Sequence, residues 1–251
     1  MTEPVPGGGR SGRYQDYFTT HIRDRKGLPS KREFEARARG YDIQLRSVLP
    51  DDASARVIDV GCGTGHVLYW LQTRGFALAE GIDISPQQVE QARRMGLQNV
   101  RCVGLEEHFQ DRRDLYDLIL LRDVLEHFSP SEAEHNLELL SNALRPHGRL
   151  LIQVPNAEYP FFGFYRYGDV THHVAYTRSS IQQLLLRKGF GTIRFLNRVS
   201  TAHRITRFVA YLFLWKAFGL QVPSRSLVLD ANLVVSCTRP RPPGAGPNRG
   251  G

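Results

Sequence analysis

Short apolar runs alternate with stretches of three- and four-residue apolar spacing from Arg56 to Val154. The runs predict buried strands near 56–60, 77–82, 99–103, 116–122 and 149–154. The spaced stretches predict helices near 66–74, 86–95, 105–111 and 131–145. Ser85-Pro86 is placed to cap the second of these helices, with proline in its first turn. Ser129-Pro130-Ser131 opens the fourth, and Pro146-His147-Gly148 closes it. Another helix at 179–188 precedes two strands at about 191–197 and 231–238. Upstream, Phe34, Ala38, Tyr41 and Leu45 fall at helical steps within 14–49, and Pro50 ends that run. Such alternation is the pattern of a parallel α/β domain.

The first strand leads into Val57-Ile58-Asp59-Val60-Gly61-Cys62-Gly63-Thr64-Gly65. A buried strand, a tight glycine turn and a helix start bring a ligand against bare backbone at the carboxyl edge of such a sheet. Asp83 follows Gly65 by eighteen residues, at the end of the second apolar run. A carboxylate there suits the vicinal hydroxyls of a ribose. The glycines are spaced by two, and Asp59 precedes them, whereas a dinucleotide fingerprint needs its third glycine three residues after the second. An acid beside the turn repels a pyrophosphate and suits a cationic ligand without phosphate.

At these residues the chain resembles the class I S-adenosylmethionine-dependent methyltransferases, whose first motif reads like Val57 to Gly65. The resemblance implies a Rossmann-like α/β fold with a seven-stranded sheet, order 3-2-1-4-5-7-6 and the last strand antiparallel. It also implies S-adenosyl-L-methionine as cofactor, contacted by Asp59, Gly61, Cys62, Gly63, Gly65, Asp83, Ile84, Leu105 and Arg122. The second family motif corresponds to Tyr116 to Phe128, with Arg122 expected near the methionine end of the cofactor and His127 toward the substrate. The third corresponds to Leu144 to Asn156, where Pro-His-Gly replaces the commoner Pro-Gly-Gly. Gly104 stands where the family's usual adenine-contacting acid would be. N-terminal helices close over the cofactor in this family, which makes Tyr14 and Tyr17 candidate contacts or simply packing residues.

Beyond the fifth strand, Asn156 to Thr177 is rich in aromatic residues and broken by glycine and proline. It offers ring faces and an arginine, Tyr165, Arg166 and Tyr167, to an acceptor, with Asp169, His172 and His173 as proton acceptors. The run Gly168 to His172, followed by Tyr176-Thr177 and Lys188-Gly189-Phe190, resembles methyltransferases of bacterial polysaccharide and glycan clusters. Methyl transfer is a direct displacement, so the protein must align the acceptor and, for a hydroxyl, remove its proton. His172 is the first candidate base, with Asp169 orienting it or binding the acceptor; His173 and His127 follow. The alternative is that the histidine pair only ties the loop down. No acidic cluster suggests a metal, and none is expected.

Charge adds a further region. Of the 33 bases, nine lie in 170–229, where there is no acid, which leaves 24 bases against 25 acids elsewhere. Inside it, Phe208 to Trp215 is an uncharged apolar run of eight residues flanked by Arg204, Arg207 and Lys216. That is far short of the roughly twenty residues needed to span a bilayer. Three readings stay open for 204–222: a helix on its own domain, a homodimer contact, or a peripheral contact with anionic lipid. The domain reading is a tail at 1–13, a helical cap at 14–50, a methyltransferase domain at 51–238 with this insertion, and a tail at 239–251.

Three cysteines without a CxxC pattern, and no apolar leader in 1–13, point to a reducing cytoplasm. The leading function is O-methylation of a small-molecule or glycan acceptor, lipid- or phosphate-linked acceptors included. A quinone or lipid headgroup O-methyltransferase at the membrane surface comes second. The sequence pI of about 9.7 raises a nucleic-acid methyltransferase as the third. Against it stand mildly basic tails and the lack of an Asn/Asp-Pro-Pro-aromatic motif, so nucleic acid is not the expected partner.

Overall fold

A computed structural model describes residues 30–159, 162–196 and 230–239, with a few isolated positions between 209 and 217. The elements in chain order are α1 (Lys31–Leu45), β1 (Val57–Val60), α2 (His66–Thr73), β2 (Glu80–Asp83), α3 (Pro86–Arg94), β3 (Val100–Cys102), α4 (Leu105–Phe109) and β4 (Tyr116–Arg122). They continue as α5 (Pro130–Ala143), β5 (Leu144–Pro155), α6 (Phe162–Arg166), α7 (Arg178–Arg187), β6 (Gly191–Phe195) and β7 (Asn232–Thr238). The seven strands run in the order β3-β2-β1-β4-β5-β7-β6. β1, β2 and β3 pair in parallel, whereas β7 is antiparallel to both β5 and β6. This is the expected Rossmann-like sheet.

The chain forms two compact units: residues 1–120 with 142–145, and residues 121–141 with 146–251. In the first, all four residues of β1 are buried. Trp70 on α2 is fully buried, and its indole N–H donates to Asp42 on α1 at 2.8 Å, which satisfies the one polar atom of that large side chain. Phe34 of α1 stacks on the ring of His66 of α2, centroids 4.1 Å apart. In the second unit, Leu150, Leu151, Ile152 and Val154 of β5 and Leu233 to Val235 of β7 supply the core.

Local signals account for most boundaries. Ser85 caps α3, its hydroxyl accepting from the Gln88 N–H at 3.4 Å, and Pro86 opens the helix. Ser129 and Glu132 form a reciprocal pair at the start of α5: Ser129 N–H donates to Oε2 of Glu132, and Glu132 N–H to Oγ of Ser129. Two boundaries differ from expectation. β2 begins at Glu80 rather than Ala77, because Gly75 at φ +88° prolongs the turn after α2 and Ala79 N–H still bonds back to Phe76. α5 ends at Ala143, and extended backbone starts at Leu144, before the Pro-His-Gly turn. Arg145 precedes Pro146, and the ring of a proline disfavours helical backbone in the residue before it.

The expectations for Tyr14, Tyr17 and the two tails, and nearly all of those for 204–222, fall outside the described residues.

Candidate functional site

Two clusters of predicted site residues emerge, one in each unit. In the first, the turn after β1 takes positive φ at Gly61 (+70°), Gly63 (+56°) and Gly65 (+86°), a conformation that a Cβ disfavours. Gly61 and Cys62 N–H both donate to Ile82 O, at 2.8 and 3.0 Å, which fastens the turn to β2. A Cβ on Gly65 would run into Leu97 Cδ1, and one on Gly63 would lie 2.9 Å from Gln88 Oε1. Bare backbone is favoured at both positions by φ, and at Gly65 also by the packing of Leu97 and Ala92.

Asp83 ends β2 beneath this turn. Its Oδ2 accepts from Gly63 N–H and its Oδ1 from Ser85 N–H, each at 2.8 Å. Each carboxylate oxygen has two acceptor positions, so both keep capacity for a ribose hydroxyl. Burial pushes the Asp83 carboxyl above its ordinary value, against the lowering effect of the Ser85, Gly63 and Ile84 N–H groups. Asp59 is buried in β1. Burial raises the Cys62 thiol well above its ordinary range, reinforced by the charges of Asp83 and Asp59, so it is inert rather than nucleophilic. Ile84 and Leu105 are half-buried, Leu105 as the first residue of α4. A Cβ at Gly104 would meet nothing within 4 Å, which leaves open the place of the family's adenine-contacting acid.

In the second unit, Arg122 donates to Gln153 Oε1 through Nη2 and Nε, at 3.1 and 3.3 Å. Gln153 in turn donates Nε2–H to Asp123 Oδ2 at 2.7 Å and accepts Asp123 N–H on its carbonyl at 2.9 Å. Asp123 sits at φ +55°, so this side-chain clamp holds a turn that ordinary residues resist. Gln153 is a partner that the sequence did not single out.

The histidine cluster lies on the loops after β4 and α6. Thr171 donates its hydroxyl to Asp169 Oδ1 at 2.6 Å, and the same oxygen takes the Thr171 N–H at 2.9 Å. With that proton committed, the Thr171 hydroxyl is an acceptor toward His127 Nδ1, at 2.8 Å, and the Thr171 carbonyl lies 3.3 Å from the same nitrogen. This network assigns the proton to Nδ1 and the lone pair to Nε2 of His127. The His172 ring lies 4.7 Å from that of His127, and its Nε2 is 4.0 Å from Asp169 Oδ2. Burial lowers His127 to about 4, and neighbouring His172 adds to the effect. His127 is thus a weak proton acceptor at neutral pH.

Glu126 was missed by the sequence reading. It is 1% exposed, and neither carboxylate oxygen has a hydrogen-bond partner among the described residues. Burial pushes its carboxyl well above the ordinary range, with Asp123 and Asp169 adding to the shift. Its own carbonyl accepts the N–H groups of His173 (2.7 Å) and Val174 (3.2 Å), which ties the histidine loop to the end of β4. His173 itself is exposed, and its carbonyl takes Nη2–H of Arg166 at 2.8 Å. Arg166 also lies over the exposed Tyr167 ring, 5.1 Å from its centroid. Nothing is described of the Tyr165 side chain. The structure therefore brings Asp169, His172 and His127 together, and leaves the His173 ring outside that cluster.

A reversed last strand on an otherwise parallel sheet, with a glycine turn facing a carboxylate at the end of β2, defines a Rossmann-like nucleoside-cofactor enzyme. Residues 33–194 match the family model described as "Methyltransferase domain", and the chain belongs to that family as a class I S-adenosylmethionine-dependent methyltransferase. Its cofactor is S-adenosyl-L-methionine. Among curated proteins it is similar to the cyclopropane-fatty-acyl-phospholipid synthase of Escherichia coli K12, 23% identical over 144 residues, 55% of this chain and 35% of that protein. A ubiquinone biosynthesis O-methyltransferase of Neisseria meningitidis serogroup C is 29% identical over 107 residues, 40% of this chain and 44% of that protein. The chain thus matches less than half the length of these relatives. A methyltransferase structure from Archaeoglobus fulgidus shares the fold at TM-score 0.64 and 19% identity, covering 89% of this chain and all of that one.

Proposed function

We propose that the chain transfers a methyl group from S-adenosylmethionine to a hydroxyl of a saccharide or glycan precursor, lipid- or phosphate-linked acceptors included. The observation that carries this reading is the Asp169–Thr171–His127 chain with His172 beside it. A hydroxyl must lose its proton as the methyl carbon arrives, and a half-buried imidazole pair anchored by a carboxylate supplies that function. The cofactor is held by the glycine turn and by Asp83, whose backbone donors fix its carboxylate for the ribose. The methyl carbon–sulfur bond breaks as the carbon–oxygen bond forms, and the electron pair stays on sulfur. His172 takes the acceptor's proton, and Asp169 steadies the charged ring. Tyr167 and Arg166 offer an exposed ring face and a guanidinium to a polar acceptor.

A second reading, a quinone or lipid headgroup hydroxyl, is favoured by the names of the relatives, one a ubiquinone biosynthesis O-methyltransferase and another a cyclopropane-fatty-acyl-phospholipid synthase. Among the described residues, no helix is long and apolar enough to cross a membrane. Val209 and Phe213, 58% and 73% exposed, fit a peripheral lipid contact through the basic insertion. Labelled cofactor offered with nucleotide-sugar, lipid-linked glycan and demethylated quinone fractions separates the readings. Label in a quinone precursor alone would overturn the glycan assignment. Co-sedimentation with anionic liposomes, lost in Phe213→Asp, tests the lipid contact.

A further inference from the structure

We infer that Glu126, His127 and His172 form a divalent transition-metal site. Each offers one ligand atom, and the three atoms lie within 4.8 Å of one another. All three residues belong to one compact unit, on the loops after β4 and α6.

Three observations carry this. First, a carboxylate 1% exposed, with neither oxygen hydrogen-bonded among the described residues, is costly unless it is protonated or a cation meets it. Among those residues no arginine or lysine pairs with that carboxylate, and two imidazoles lie beside it. Second, two imidazoles and one carboxylate are the donor set that zinc, iron(II), cobalt(II) and related ions take, whereas magnesium and calcium prefer oxygen ligands. Third, the outer contacts are those of a metal-bound histidine. Nδ1–H of His127 is held by Thr171, which is in turn held by Asp169, so the ring is oriented with its Nε2 lone pair outward. Ligand atoms around a zinc ion stand about 3.4 Å apart at the usual bond lengths, so binding draws the three slightly together.

Three protein ligands leave a fourth position for an oxygen. Resting on the methyl-transfer reading above, that position takes the acceptor hydroxyl. Coordination then lowers the hydroxyl's affinity for its proton, which passes to solvent. The oxygen attacks the methyl carbon, and S-adenosylhomocysteine leaves with the sulfur electron pair. The imidazoles act as ligands in this form, and activation shifts from proton removal to coordination.

The test uses the full chain, stripped with a chelator and titrated with Co(II). Saturation at one equivalent with visible ligand-field absorption, displaced by Zn(II), is expected. Glu126→Gln and His172→Asn should each weaken binding at least tenfold, while Cys102→Ser, at an exposed thiol in the first compact unit, leaves it unchanged. S-adenosylhomocysteine affinity, followed for every variant, reports folding and the cofactor site separately. His172→Asn, at a side chain 12% exposed, carries the test where Glu126→Gln disturbs folding. No saturable signal, or one that survives both variants, overturns the site. Co(II) binding without any methyl transfer supports the site and removes only its acceptor role. Full turnover by the stripped protein overturns the proposal that the metal activates the acceptor.

Discussion

Gly63 and Asp83 are joined by a 2.8 Å hydrogen bond from the Gly63 N–H to Oδ2 of Asp83, across twenty residues of sequence. The glycine turn and the carboxylate that ends β2 are therefore one device: the acid proposed to take the ribose also fixes the loop beside it. Asn at this position would present an NH2 group to one of two backbone donors. Asp83→Asn should weaken S-adenosylhomocysteine binding at least about tenfold, roughly 1.4 kcal/mol or more, by calorimetry. Unchanged affinity would remove Asp83 from the cofactor site.

Gly65 faces two separate barriers to a side chain, its φ of +86° and the Leu97 methyl in the path of a Cβ. Gly65→Ala is expected to destabilise the fold by roughly 2–4 kcal/mol, summing left-handed strain and overpacking. Urea unfolding checks this. Adding Leu97→Ala should recover part of the loss; no recovery would show that the backbone angle alone sets the cost.

Thr171 bridges Asp169 and His127 with one hydroxyl. Thr171→Val keeps the shape and removes the hydroxyl bridge, leaving Asp169 Oδ1 the backbone N–H and His127 Nδ1 the longer contact to the carbonyl. A stability loss of roughly 1–3 kcal/mol is expected. Turnover should fall at least about tenfold while cofactor affinity stays level. Equal losses in both would point to general disruption instead.

His172→Ala should cut turnover by about a hundredfold and leave S-adenosylhomocysteine affinity unchanged. Full turnover in that variant would remove His172 from the proton-accepting role.

His108 donates Nε2–H to the Tyr116 hydroxyl at 3.0 Å, and Tyr116 donates to Glu80 Oε1 at 2.8 Å. Burial lowers His108 to about 4, with Arg112 and Arg101 assisting. The unfolded chain binds a proton near 6.5 and the folded one only near 4, so stability is full above 6.5 and falls as the pH drops toward 4. Between pH 7 and 5 this one group contributes a loss of about 2 kcal/mol. Denaturant titrations of His108→Gln at both values should show a correspondingly shallower dependence. An identical slope in the variant would place the acid sensitivity elsewhere.

Much of the fold was legible because its causes are local. β1 and β4 are continuous apolar runs, the glycine turn is written in residue type, and Ser85-Pro86 marks a helix start through its own backbone chemistry. Asp83 could be placed because strand, helix and strand lengths fix how far along the chain the second carboxyl edge falls. The shift of the α5 border to Ala143 was also local, and the rule that a residue before proline avoids helix would have found it.

The chemistry of the histidine cluster was not legible in this way. Sequence proximity suggested Asp169, His172 and His173 as a group, yet adjacent side chains on a loop need not point together. His173 is exposed, while His127, 44 residues before Thr171, joins the cluster. By itself, then, the sequence determined the layered sheet, the glycine turn after β1 and the family, because apolar spacing and backbone geometry act over a few neighbouring residues. Tertiary structure alone decided that Glu126 is buried without a hydrogen-bond partner among the described residues, and that Thr171 sets the tautomer of His127. Burial and hydrogen-bond pairing belong to the folded surroundings of a group, and no local pattern of residues records them.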